Sequence, residues 1–148
     1  MQEYVRALCM AGILLGLTAC HSKNASAPSI VGTWVVRIPE APFPLHMFVF
    51  HGDGAVVQSN PDAGNASRSD SNAMGVWVRD GDRFRGRIVE ITADRTTHHF
   101  VSRGEITFTL TVDGDRLRGN AEANFFGVDG KAMGETIHAA LDGERVRP

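Results

Sequence analysis

"DGDRFRG" (Asp80 to Gly86) returns almost unchanged as "DGDRLRG" (Asp113 to Gly119). How this pair is read decides the fold. A type I′ hairpin turn needs positive φ at both central residues, and Asp-Gly tolerates that well. The alternating Arg-apolar-Arg that follows suits a strand, whose successive side chains point to opposite faces. Each copy therefore predicts a tight turn and then a strand start. Arg83, Arg85 and Arg87 point one way, and Phe84, Gly86 and Ile88 the other. The competing reading is a calcium loop, which wants an oxygen ligand at its fifth position, Gly at the sixth and Glu at the twelfth. Counted from Asp80 these are Phe84, Arg85 and Ile91; counted from Asp113 they are Leu117, Arg118 and Asn124. Both copies fail, and the repeat is structural punctuation.

The same turn chemistry recurs in "HGDG" (His51 to Gly54) and at Asp129-Gly130. Between the turns lie short runs rich in Val, Ile, Phe and Thr, with no long helical periodicity. The expected strands are 31–38, 44–51, 54–60, 74–80, 83–93, 97–112, 116–127 and 131–146. Turns in series make sequential antiparallel neighbours. Eight such strands remove their edges by closing, which predicts an all-β, eight-stranded antiparallel up-and-down (meander) barrel. The segment 30–148 is long enough for one domain with its own core.

Parity selects the inner face. Ile106, Phe108, Leu110 and Val112 share a face, and the same parity runs back to Ser102, Phe100 and His98. Phe84 and Ile88 bring Glu90 with them; Phe48 and Phe50 bring His46. Ile137 and Leu141 argue that Thr136 and His138 face out. Glu90, His98, Ser102, His46 and Phe100 are therefore the candidate ligand-binding residues. A carboxylate and an imidazole in an apolar barrel have shifted pKa values and can move protons. The alternatives are a mutually satisfied buried pair, or a bulge that flips the register and exposes them. Gly119, Ala121 and Ala123 make the inner face of their strand small, which means either tight packing or a cavity. Two segments stand near a barrel rim: "NPDAGNASRSDSNA" (Asn60 to Ala73), a lid or a disordered insertion, and the stiff "PEAPFP" (Pro39 to Pro44), whose Phe43 can cover either mouth.

The N-terminus reads as a targeting segment. The apolar run Ala7 to Ala19 has the length of a signal-peptide core and is too short for a permanent membrane span. It ends in "LTAC" (Leu17 to Cys20), which resembles the bacterial lipobox. The resemblance implies a signal peptide over 1–19, a lipid on Cys20, and a tether through residue 29. "HSKNASAPS" (His21 to Ser29) has the small, polar composition of a flexible linker. His21 after the lipidated Cys, rather than Asp, implies the outer membrane, periplasmic side, if the source is Gram-negative. Of the two cysteines, Cys9 leaves with the signal, so no thiol remains for a disulfide or thiolate metal site.

"VGTW" (Val31 to Trp34) resembles the Gly-x-Trp opening of lipocalins and other calycins, and "FHGDGAVVQSN … GVWVRDGDRF" is similar to small bacterial lipocalin-like proteins related in shape to the allene oxide cyclase barrel. The resemblance implies a lipocalin-like barrel in which Trp34 plugs the closed end. The lipocalin Thr-Asp-Tyr motif has no counterpart here, since the only Tyr is Tyr4.

Chemistry is sparse. The histidines, at 21, 46, 51, 98, 99 and 138, form no His-Glu-x-x-His pattern, and no metal or cofactor is expected. No nucleophile elbow, phosphate loop or dinucleotide fingerprint is present. A net charge of −2 leaves no basic stripe for nucleic acid. Three functions stay open. The first is a lipid-anchored barrel of the cell envelope binding a small apolar or amphipathic ligand. The second is an interaction lipoprotein with a packed barrel. The third is a cofactor-free isomerase or cyclase, the role that the allene oxide cyclase resemblance implies. Their partners are the membrane, through the lipid, and a small hydrophobic ligand.

Overall fold

The computed structural model describes residues 28–59 and 66–148. The expected signal peptide, Cys20 and most of the expected tether lie outside the described residues, as do residues 60–65 of the long connection. Nine strands follow in order: β1 (Gly32–Arg37), β2 (Leu45–Phe50), β3 (Ala55–Ser59), β4 (Arg68–Asp70), β5 (Ala73–Asp80), β6 (Arg83–Asp94), β7 (Phe100–Asp113), β8 (Arg116–Phe126) and β9 (Ile137–Arg145). β4 and β5 both pair with β6 and form one interrupted barrel position. All neighbours are antiparallel and sequential, β6 pairs with β7, and β1 pairs with β9. The result is a closed eight-position meander barrel, with no helix among the described residues.

The two ends differ because their connections differ. At one end the turns are tight: His51–Gly54, Gly81-Asp82 and Gly114-Asp115. At the other run the longer connections after β1, β3, β6 and β8. The Asp-Gly turns depart from expectation in type. Asp80 pairs with Arg83 and Asp113 with Arg116, so Gly-Asp, not Asp-Gly, occupies the centre. Gly81 has φ 64° and Gly114 φ 56°, while Asp82 and Asp115 are not left-handed. Positive φ at the first central residue alone is the type II′ pattern.

The tight-turn end is packed shut. Trp34, Phe50, Phe84, Ile88, Leu110 and Leu117 are each 0–1% exposed. Phe50 meets Trp77 and Phe108 edge-on, with ring centroids 6.3 and 6.0 Å apart. Each such burial contributes on the order of 1.5–3 kcal/mol by area alone. Trp34 donates its indole N–H to Ile30 O at 2.8 Å, and the Arg145 guanidinium lies 4.1 Å from its ring centroid. Gly32, at φ 130°, leaves the space for this arginine: a β-carbon there would stand 2.9 Å from Arg145 Nη1.

Two irregularities break strand parity. Asp70 pairs with Thr92 and Met74 with Val89, so the chain takes four steps where β6 takes three. The extra residue sits at Ser71-Asn72. There Ser71 N–H donates to Ile91 O, and the Ser71 hydroxyl accepts from Ile91 N–H at 3.0 Å. On β7, Ser102 pairs with Thr92 but Phe100 with Ala93, leaving Val101 as a bulge. The expected strand 97–112 therefore starts at Phe100, and the expected strand 131–146 starts at Ile137 after an isolated bridge between Phe126 and Ala132. Part of the Asn60–Ala73 connection is strand β4 rather than loop.

Candidate functional site

The core side chains thin out toward the long-loop end, and a cavity of about 430 Å³ opens there. Its walls follow from strand position. β8 and β9 contribute Ala121, Ala123, Phe125, Ile137 and Ala139, and β7 contributes Ile106. Alternating small inner residues on two neighbouring strands leave the wall set back. The stiff β1–β2 connection adds Ile38, Ala41, Pro42 and Phe43 as an apolar rim. Phe43 thus stands at the same mouth as Glu90.

The facing arc is polar. It carries His46 from β2, Gln58 from β3, Arg68 and Asp70 from β4, Glu90 and Thr92 from β6, and Ser102 from β7. Four of them, His46, Gln58, Asp70 and Thr92, are held by hydrogen bonds. Phe43 O, 2.7 Å from His46 Nε2, accepts only, so that nitrogen carries the proton. His46 Nδ1 then accepts from Gln58 Nε2 at 3.0 Å, and both side chains are buried. The Thr92 hydroxyl donates to Asp70 Oδ1 at 2.6 Å. Glu90 lies across from Gly104, its register partner on β7, where no side chain competes for the space.

The chain matches no protein-family model, no curated protein and no solved structure. The geometry alone therefore ranks the candidates.

Glu90, Ser102 and His46 come together in the cavity as parity predicts. His98 and Phe100 do not. The Val101 bulge turns Phe100 to the outer side, where it is 42% exposed. His98 is exposed in a turn, with φ 59°, and its N–H donates to Asp94 O at 2.9 Å. The turn is organised by the Asp94 carboxylate, which accepts from the Thr97 and Thr96 N–H groups and the Thr97 hydroxyl. Those bonds, led by the Thr97 N–H, hold the Asp94 carboxyl below its usual range. "DRTT" is the sequence signal for such a turn. His138 faces outward as expected and stands 3.5 Å from Glu122 of β8.

Several lining residues escape a reading by chemistry alone. Gln58 and Thr92 share parity with Val56 and Glu90 and were accessible to that argument. Asp70 and Arg68 were not: counting back from inward Ala73 puts them on the wrong face unless the bulge at Ser71-Asn72 is known. Gly86 and Gly119 do face in, but they open no cavity. A β-carbon at Gly86 would lie 2.2 Å from the Phe108 ring, and one at Gly119 2.0 Å from Thr109 O. Among the described residues, no three His, Cys, Asp or Glu side chains are grouped as metal ligands.

Proposed function

We propose that this protein is a lipid-anchored, lipocalin-like barrel of the cell envelope that binds one small amphipathic ligand at its open mouth. The supporting observation is the cavity of about 430 Å³, whose polar arc faces a set-back apolar arc. Small-molecule sites have this size and makeup: mostly apolar walls with a few placed polar groups. A ligand with an apolar body fits against Ala121, Ala123 and Ala139, and its polar end reaches Glu90, Ser102 and the Asp70–Thr92 pair. The bond from Thr92 holds Asp70 as an acceptor, which favours a ligand head that brings hydroxyl or amine donors.

The test is extraction of the full-length protein, purified from membranes in mild detergent, followed by mass spectrometry of the extract. Ala121→Phe fills the cavity from β8 and serves as the comparison. The wild-type protein is expected to carry a bound small molecule that Ala121→Phe lacks, with both giving the same β-rich circular dichroism. Identical extracts from the two would overturn the proposal. The anchor is tested separately: Cys20→Ser is expected to lose the acyl mass and to leave the membrane fraction.

A further inference from the structure

The outer surface of the barrel has two unlike sectors. On β7, β8 and β9 most outward side chains are polar or charged, among them Thr107, Thr109, Asn120, Glu122 and Asp142, with Phe100 and Ala140 as exposed apolar exceptions. On β1, β2, β3 and β5 they include Val35, Met47, Val57, Met74, Val76 and Val78. The registers set these side by side: Val35 opposite Met47, Val57 opposite Met74, Ala55 opposite Val76. Met74, Val76 and Val78 are 61%, 64% and 59% exposed, and Met47 is 47% exposed. An antiparallel sheet with one wet face normally alternates apolar-in with polar-out. Here both faces of β5 are apolar from Ala73 to Val78. Scattered exposed apolar residues are ordinary, whereas a contiguous set marks a surface that something covers.

Shape and chain direction identify what covers it. The face is the outside of a closed barrel and therefore convex. A rigid partner, a second copy included, meets a convex face along its crest, whereas a fluid lipid surface conforms to its full width. The start of the described chain points the same way. Ser29 O accepts from Arg145 at 2.6 Å, and Pro28 O accepts from Arg79 of β5. The described chain thus crosses the closed end and begins at Pro28, beside β5. Cys20 is eight residues earlier, a reach of at most ~28 Å.

We infer that the apolar face of β1, β2, β3 and β5 rests in the headgroup–acyl boundary of the membrane, with the charged face of β7–β9 in water. Apolar side chains set into that boundary bind in proportion to the area they bury. The connection 38–44 joins two strands of this face, so the rim of the cavity then sits at the lipid surface. This inference draws on lipid attachment at Cys20 only for the direction of the chain; it stands on the exposed apolar face and is independent of what the cavity holds.

The processed chain has no other free thiol once Cys9 is removed and Cys20 carries its lipid. A single introduced Cys is then the one labelling site. Met74→Cys, Val76→Cys, Thr109→Cys and Asn120→Cys are made in the full-length chain, labelled with a polarity-sensitive fluorophore, and reconstituted in phosphatidylcholine–phosphatidylglycerol vesicles with brominated acyl chains. Labels at 74 and 76 are expected to be quenched by about twofold or more, as for side chains set into the acyl boundary, and those at 109 and 120 to be unchanged. Equal responses at all four positions would overturn the inference. So would a cross-link between copies at Val76→Cys that shields the label without lipid, which would assign the face to a second copy. Acyl mass on Cys20 is measured in the same samples. Acylated protein with unquenched labels defeats the face alone, and unacylated protein with unquenched labels defeats both readings. Unacylated protein keeps its own thiols, so there the labels are read in a Cys9→Ser, Cys20→Ser background, where quenching at 74 and 76 alone supports the face and removes only the anchor.

Discussion

Glu90 of β6 lies over Gly104 of β7, its register partner, so closely that a β-carbon on Gly104 would stand 2.8 Å from Glu90 Cγ and 2.9 Å from the Phe125 ring. The missing side chain on one strand is what lets a carboxylate lie against the wall of the cavity on the next. Gly104→Ala is therefore expected to push Glu90 and Phe125 apart and to cost about 1–3 kcal/mol, as overpacked sites do. Urea unfolding of the variant against wild type measures this, and Glu90→Ala in the same chain should recover most of the loss.

The His46–Gln58 pair gives a second prediction. Gln58 Nε2 supplies a hydrogen bond to His46 Nδ1 inside the barrel. Gln58→Met keeps most of the volume and removes that donor. The expected cost is about 1–3 kcal/mol, the penalty of taking a partner from a buried polar atom, read again from urea midpoints. Gln58→Glu is expected to alter the nitrogen chemical shifts of His46, because a carboxylate in the donor's place favours a proton on Nδ1.

The repeated motif can be tested glycine by glycine. Gly114 sits in the turn with open space around the position of a β-carbon, and its demand is a positive φ. Gly119 has no such demand but faces Thr109 O at 2.0 Å. Gly114→Ala is expected to cost about 1–3 kcal/mol, the penalty for placing an L-residue at the positive-φ first centre of a type II′ turn. Gly119→Ala would meet the Thr109 carbonyl first, which is backbone and cannot swing aside, and is expected to cost more than Gly114→Ala, by thermal unfolding of both variants.

The closed end predicts acid sensitivity. The Asp115 carboxylate accepts from Arg147 and, at 3.2 Å, from Arg145, and these bonds, Arg147 first, hold its carboxyl below the usual range. A lowered folded-state pKa contributes stability above the unfolded value of about 3.9 and loses it as pH falls through the folded value. Wild type is therefore expected to lose more stability than Asp115→Asn between neutral pH and about pH 3. Equal losses in the two proteins would show that the pair contributes nothing.

Much of this barrel was legible without coordinates. Asp80-Gly81 and Asp113-Gly114 mark turns, and the alternation from Phe84 to Glu90 and from Phe108 to Val112 marks inner faces. Together they are enough for a closed meander with His46, Glu90 and Ser102 pointing in. Those features are local: they depend on the two-residue period of a strand and on what a turn allows. Tertiary structure alone decided the rest. Counting residues cannot reveal the bulges at Ser71-Asn72 and Val101, because a bulge exists only relative to a partner strand. Those two bulges bring Asp70 into the cavity and send Phe100 out of it. Nor could the chain tell which small inner residues leave space. Gly119 is filled by the β7 backbone and Gly86 by Phe108, while Ala121 and Ala123 stay uncovered. Whether a missing side chain becomes packing or cavity depends on what closure of the barrel sets opposite it.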